Sequence, residues 1–364
     1  MVEPCPDGSP HRVRATLQEP LEDGKVRCLA CPRYCVIPPG QRGACRTKVN
    51  VDGTLCEVNY SRVSSVAMDP IEKKPLYHFY PGSWAYSIGT VGCNLFCEHC
   101  QNWEISQPRV NPEEFPWLRD LTPQDAVRQA AELGATSIAY TYNEPTIVSM
   151  EWVLETAKLA REVGLKNVSV TNGYWSQEAR ELLTPLMDAA NVDVKAFSDE
   201  FYRKVTKTPS LEPVLETVLH LKKAGVHVEL TYLIIPGLND SEEEIREFAR
   251  WVVNDISDDT PVHFSRFHPD FKMLDRPVTP LRTLEMAHRV AREEGVKFVY
   301  IGNVPGDPRE HTYCPKCGER VIERYGFDVY GCNLTEDKKC PKCGEPIPIV
   351  GECRRSAGSF YLGI

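Results

Sequence analysis

Gly92-Cys-Asn-Leu-Phe-Cys-Glu-His-Cys100 is the stretch on which the reading of this chain turns. It follows a run, 84–91, patterned as a strand, and it sets three cysteines in the order Cys-x3-Cys-x2-Cys. Iron–sulfur clusters are held by cysteine thiolates, usually four. Three thiolates in one tight loop, Cys93, Cys97 and Cys100, leave one iron open to a ligand from outside the chain. A zinc loop or three buried thiols are the plainer alternatives. The placement directly after a strand, with the flat ring of His99 before the last cysteine, favours the cluster.

Working outward, the chain alternates strand-like and helix-like pieces. Further strands are expected at 136–142, 167–171, 191–196, 226–235, 262–267 and 297–301. Helix starts stand at Thr122-Pro-Gln-Asp125 and Asp240-Ser-Glu-Glu243, and Gly134, Gly164, Gly225 and Gly295 each close a segment before the next strand. Repeated β-α units with short connections predict a parallel sheet. Six or seven units suit a partial or full (β/α) barrel, in which function gathers at the C-terminal strand ends. Glu144, Asn172, Asp193, Lys195 and His268 all fall at those ends.

The 364 residues contain 15 cysteines in short-spaced groups, a pattern of metal ligands rather than of a secreted disulfide framework. They divide the chain into a Cys-rich segment (1–81), a barrel (82–305) and a C-terminal piece (306–364). In the last, Cys314-Pro-Lys-Cys317-Gly and Cys340-Pro-Lys-Cys343-Gly are duplicated knuckles that predict a zinc ribbon, with a single iron as the alternative ion. Cys332 and Cys353 read as ordinary buried thiols. At the other end, Cys28, Cys31, Cys35 and Cys45 supply four thiolates for zinc or an auxiliary cluster, structural metal being the favoured use. Cys5 and Cys56 have no partner at useful spacing. With 42 Lys and Arg against 51 Asp and Glu, the net charge of −9 argues against broad nucleic-acid binding. No run approaches the ~18 apolar residues of a membrane span, and the first residues lack the order of a signal peptide, so a cytoplasmic protein is expected.

The cysteine loop and the motifs after it resemble the radical SAM (S-adenosylmethionine) superfamily over about residues 84–270, within the branch of pyruvate formate-lyase activating enzymes. Tyr140-Thr-Tyr-Asn-Glu-Pro-Thr146 stands where that branch has Gly-Gly-Glu, which implies that Asn143 and Glu144 meet the amino group of SAM. Val170-Thr-Asn-Gly-Tyr174 is similar to its Thr-Asn-Gly segment, implying Asn172. Val192-Asp-Val-Lys195 resembles its Asp-x-Lys, implying that Asp193 and Lys195 serve the ribose hydroxyls and carboxylate. Ile234-Ile-Pro-Gly237 matches a Val-Pro-Gly turn, and Phe267-His268-Pro269 a Tyr-His pair near the nucleoside. The residue types suit such a ligand. Each also has a structural use: Glu144 as a helix cap, Asp193 and Lys195 as an ion pair, His268 as a loop residue.

With the four-Cys amino-terminal segment, Gln101-Asn-Trp103, Tyr-Asn-Glu-Pro-Thr and the terminal ribbon, the whole chain resembles AmmeMemoRadiSam system radical SAM enzymes, commonly encoded beside Memo-like and AMMECR-like proteins. The resemblance implies a [4Fe-4S] cluster that cleaves SAM to a 5′-deoxyadenosyl radical, reduced by a donor such as ferredoxin or flavodoxin. The radical would abstract hydrogen from a substrate that the resemblance does not name. The alternatives are a glycyl-radical activase acting on a protein and a non-enzymatic zinc-binding interaction protein.

Overall fold

The computed structural model describes residues 2–356. Eight strands form the main sheet: β1 (Ser65–Pro70), β2 (Trp84–Gly89), β3 (Ser137–Tyr140), β4 (Lys166–Thr171), β5 (Ala189–Asp193), β6 (His227–Ile234), β7 (Val262–Arg266) and β8 (Val299–Gly302). They lie side by side in chain order. From β2 to β8 all neighbours are parallel, and β1 runs antiparallel along β2. Among the described residues β1 and β8 do not pair, so the sheet is the partial barrel of the two forms that the repeats allowed.

Six main helices cover the outer face: α1 (Pro123–Glu132), α2 (Met150–Glu162), α3 (Gln177–Leu183), α4 (Glu212–Lys223), α5 (Glu242–Trp251) and α6 (Leu281–Glu293). Thr122 and Ser241 cap α1 and α5 by accepting the amides of Asp125 and Glu244. Side chains alternate across each strand. Tyr86, Ile88, Ile138, Tyr140, Leu230 and Ile234 therefore join the helix-facing core. The opposite row carries small residues, Ala85, Ala139, Val168 and Ala189, which close around Ile71, Leu76 and Phe79. Those three belong to the β1–β2 connection, which runs into the barrel as a plug. Glu229, fully buried on β6, pins it: the carboxylate accepts the amides of Tyr77 (2.9 Å) and His78 (2.6 Å) and faces the rings of His227 and His263. One end of the barrel is thus shut.

The C-terminal unit is a three-stranded antiparallel sheet, β9 (Thr312–Tyr313), β10 (Arg320–Tyr325) and β11 (Asp328–Cys332). Its small core, Val321, Ile322 and Val329, is continuous with Tyr77, Phe298 and Tyr300 of the barrel. Arg324 crosses the seam completely buried. It donates to the Tyr77 carbonyl (2.7 Å) and to Thr312 Oγ1 (2.8 Å), lies over the Tyr77 ring, and comes within 3.6 Å of the buried carboxylate of Glu72.

Two expectations change. The division at 81/82 is crossed by the sheet, since β1 precedes it. Cys5 and Cys56, expected to be unpartnered, form a disulfide, as do Cys332 and Cys353, expected to be ordinary thiols. The strand Val13–Arg14 pairs with Thr54–Glu57 and a bridge joins Pro4 to Val13, which brings residues 51 positions apart to a Cα–Cα distance of 6.0 Å. Linear spacing carries no trace of that contact.

Truncating one member of a buried ion pair costs about 3–5 kcal/mol, because the other charge is left unpaired. Arg324→Ala should therefore lower the unfolding free energy by that amount, read from denaturant titration of the full chain. Unchanged stability would show that the seam does not hold the ribbon to the barrel.

Candidate functional site

The cysteine loop leaves the C-terminal end of β2, at the open end of the barrel. Gly92 begins it with φ +99°, and an added Cβ would come within 2.6 Å of Thr47 Cγ2 and 3.0 Å of the Cys45 carbonyl oxygen, so only glycine fits. The loop backbone is tied on several sides. Gly92 N donates to Ile105 O, Phe96 N to Thr206 O and Glu98 N to Val205 O, while Gln107 donates to the Cys97 carbonyl. Cys97 is buried, and Cys93 and Cys100 are half-buried.

The residues expected to meet SAM separate into two sets. Asn143 accepts the Thr90 amide (3.0 Å) and donates to Thr90 Oγ1 (3.2 Å) and to the Gly92 carbonyl (2.7 Å), gripping the base of the loop. Asn172 donates to Asn94 Oδ1 (2.9 Å) and approaches Cys93 Sγ (3.7 Å), while Asn94 donates to Tyr174 O (2.9 Å). Glu144 is 1% exposed. Its carboxylate accepts Thr146 Oγ1 (2.5 Å), Thr171 Oγ1 (2.6 Å), the Asn172 amide (2.7 Å) and Trp175 Nε1 (3.2 Å). The structure places these three in the frame of the loop, with their polar atoms engaged by the chain itself.

Asp193 and Lys195 form the second set, at the end of β5. Lys195 Nζ donates to Asp193 Oδ2 at 2.6 Å, with the side chains 15% and 32% exposed respectively. Burial alone would lower the Lys195 pKa, but Asp193 and the sulfurs of Cys97 and Cys100 together raise it, so it stays an ammonium. Its backbone is fixed by Tyr202, whose hydroxyl accepts the Lys195 amide, and by Asn239, which donates to the Lys195 carbonyl. His268 stands apart, exposed on the loop after β7. Asn94, Tyr202 and Asn239 escape the sequence reading. Asn94 carries a signal, lying inside the quoted motif, but the other two act through contacts with distant segments.

Burial pushes the Cys97 thiol up to about 12, and burial also raises Cys93 well above the usual thiol value, with Glu144 adding to the effect. Thiols so placed release their protons only as a metal ion binds the thiolates. His99 Nδ1, between the last two cysteines, is buried without a hydrogen-bond partner among the described residues. A buried, orphaned ring nitrogen in the loop that carries three thiols suits a bound group with acceptor atoms of its own.

Residues 87–251 match the model of the radical SAM superfamily. The chain belongs to the radical SAM superfamily. It is 49% identical over 337 residues to the uncharacterized protein MJ0808 of Methanocaldococcus jannaschii, covering 92% of this chain and 99% of that one. It is 24% identical over 174 residues to the pyruvate formate-lyase-activating enzyme of Clostridium pasteurianum, covering 45% and 67% of the two chains. A solved radical SAM methyltransferase from Sphaerobacter thermophilus superposes with a TM-score of 0.45 at 18% identity, over 62% of this chain and 68% of that one. As a radical SAM enzyme the protein cleaves SAM with a [4Fe-4S] cluster and needs an electron donor, and the cysteine loop, with its orphaned His99 nitrogen, fits such a cluster. No helix among the described residues is long and apolar enough to cross a membrane.

Far from the loop, the sulfurs of Cys314, Cys317, Cys340 and Cys343 all lie within 4.8 Å of one another, with Cys314–Cys343 at 3.5 Å and Cys317–Cys340 at 3.6 Å. That is the convergence that one tetrahedral ion requires. A Cys340→Ser/Cys343→Ser variant should lose one equivalent of zinc per chain and keep its iron, as measured by metal analysis. Zinc retained at full stoichiometry would remove these cysteines from the site.

Proposed function

We propose that Cys93, Cys97 and Cys100 hold the [4Fe-4S] cluster, that Asp193 and Lys195 bind SAM, and that Asn143, Glu144 and Asn172 position the cysteine loop. The observation carrying this reading is the separation just described: three residues are saturated by the chain, whereas the Asp193–Lys195 pair stays partly open beside the loop. When bound, the cluster and SAM supply a 5′-deoxyadenosyl radical that abstracts hydrogen from a substrate.

The chain's own tasks follow from its residues. Lys195 offers an ammonium for a carboxylate, and Asp193 keeps Oδ1 available for a ribose hydroxyl while Oδ2 orients the lysine. His268 lies on the same rim and is a further contact for the nucleoside. The floor built on Glu229 and the plug leaves substrate one approach, over the strand ends. The inward row above the plug includes the small polar side chains of Ser87, Thr141, Thr231 and Ser265. The four-cysteine groups towards both ends of the chain support membership of the AmmeMemoRadiSam group, with Memo-like and AMMECR-like proteins as partners and ferredoxin or flavodoxin as donor, in the cytoplasm.

Anaerobic reconstitution followed by assay of 5′-deoxyadenosine with dithionite and SAM tests the reading. Wild type should form the product, and the reduced cluster's EPR signal should change on adding SAM. Cys93→Ala/Cys97→Ala/Cys100→Ala should lose both properties. A hydrogen bond to a charged group contributes about 1.5–3 kcal/mol, and 1.4 kcal/mol is about tenfold in affinity. Asp193→Ala should accordingly weaken SAM binding roughly ten- to a hundredfold with iron content intact. Unaltered SAM affinity with a depressed Tm would leave Asp193 as scaffold.

A further inference from the structure

Four more cysteines stand against the back of the same loop. Cys28, Cys31, Cys35 and Cys45 wall one cavity together with Asn94 and Ile147. Asn94 is the residue after Cys93, and Ile147 follows Glu144 by three positions. The amino-terminal segment is anchored at this contact: Arg33 donates through Nε to the Asn94 carbonyl and through Nη2 to the Lys207 carbonyl, both at 2.7 Å, and its guanidinium covers the Phe96 ring. Ser176, capping α3, donates to the Leu29 carbonyl. Cys45 comes closest, since its carbonyl oxygen lies against Gly92, the neighbour of Cys93.

The two four-cysteine groups of this chain differ in geometry. Among the described residues, only the C-terminal group has all its ligand atoms within 4.8 Å, the arrangement of a single ion. The amino-terminal four surround a cavity instead of closing on a point. Four thiolates around a space, rather than around one atom, suit a polynuclear centre. Arg33 and Lys48 stand on the same wall; Lys48 is paired with the buried carboxylate of Glu57, so Arg33 is the cation set beside a centre that four thiolates would make anionic.

We propose that Cys28, Cys31, Cys35 and Cys45 hold a second iron–sulfur cluster, which passes electrons to the one on Cys93, Cys97 and Cys100. With four protein ligands it has no open iron and does not bind SAM. The relay rests on the function proposed above, whereas the site does not. One electron enters from an external one-electron carrier, such as flavodoxin, which is oxidised. The second cluster is reduced and then reoxidised as the same electron moves on. The path from Cys45 to Cys93 crosses a single residue, Gly92.

The site is tested in the full-length Cys93→Ala/Cys97→Ala/Cys100→Ala variant, reconstituted anaerobically with iron and sulfide. It should retain the iron and acid-labile sulfide of one cluster, with an EPR signal on reduction that SAM leaves unchanged. No labile sulfide, or a second zinc in its place, would overturn the assignment. The complementary Cys28→Ser/Cys31→Ser variant guards against misfolding of the first. Its iron and sulfide should fall to about half of wild type while the SAM-responsive signal remains; unchanged iron and sulfide would equally overturn the site. For the relay, SAM cleavage by this variant should slow about tenfold or more with flavodoxin as donor, and far less with dithionite, a small reductant that reaches the loop directly. Equal slowing with the two donors, or none, would refute the relay and leave the site standing. Loss of SAM-responsive EPR in wild type would instead refute the function proposed for the loop.

Discussion

Four donors meet at one buried carboxylate, and the arrangement of the open end of the barrel follows from it. Glu144 lies on the segment after β3 with one of its donors, Thr146, and the other three, Thr171, the Asn172 amide and Trp175, lie at and beyond the end of β4. A carboxylate taken out of water is costly unless its lone pairs are satisfied, and an orphaned buried donor costs about 1–3 kcal/mol. The two segments therefore have one low-energy relation to each other. Asn172, fixed through its own amide, is then aimed at Asn94, and Asn143, adjacent to Glu144, reaches the Gly92 carbonyl. The cysteine loop is held from both sides by residues whose positions derive from one acid.

The other end of the barrel is governed by the same economy of buried charge. Glu229 draws the β1–β2 connection inward through two amides, and Arg324 reaches across from the ribbon to the same connection. Each satisfies a charge that would be prohibitive alone. The consequence is directional. With the floor occupied by Ile71, Leu76 and Phe79, only the strand ends at the cysteine loop are left for a ligand. Above the plug the inward row includes the small side chains of Ser87, Thr231 and Ser265, while Tyr86, Tyr140 and Tyr232 pack outward against the helices.

Much of this was legible in the sequence, for identifiable reasons. The parallel strands are legible to within a few residues because each is a short apolar run, and β3, β4, β6 and β8 each follow a helix-closing glycine. The cysteine loop was legible because its ligands are consecutive in the chain. The ribbon was legible because duplicated knuckles encode their own geometry. What stayed hidden depends on contacts between distant segments. The strand β1 is antiparallel and lies before the first repeat, so no β-α period marks it. The disulfide of Cys5 and Cys56 joins residues brought together by the pairing of Val13–Arg14 with Thr54–Glu57. Glu144 was read as a helix cap or a ligand contact, because its type and position permit both. Only the four donors show where its carboxylate is used.

The cysteine groups carry the argument one step further. Thiols buried in protein are poor acids, and Cys28, raised by burial to about 12, is no exception. A chain that buries many of them commits itself to supplying cations, since the sites ionise only as metal arrives. On the sites proposed above, folding and metal loading are linked in the amino-terminal segment and in the loop. The links differ in reach. An ion on the four ribbon cysteines would organise a small core joined to the barrel through Arg324, so its influence on the rim would pass through the plug. The amino-terminal cysteines share a wall with the loop itself, through Asn94 and Gly92. Whatever fixes Cys45 also fixes the backbone that presents Cys93, so the amino-terminal segment is part of the housing of the cysteine loop and not an appendage to it.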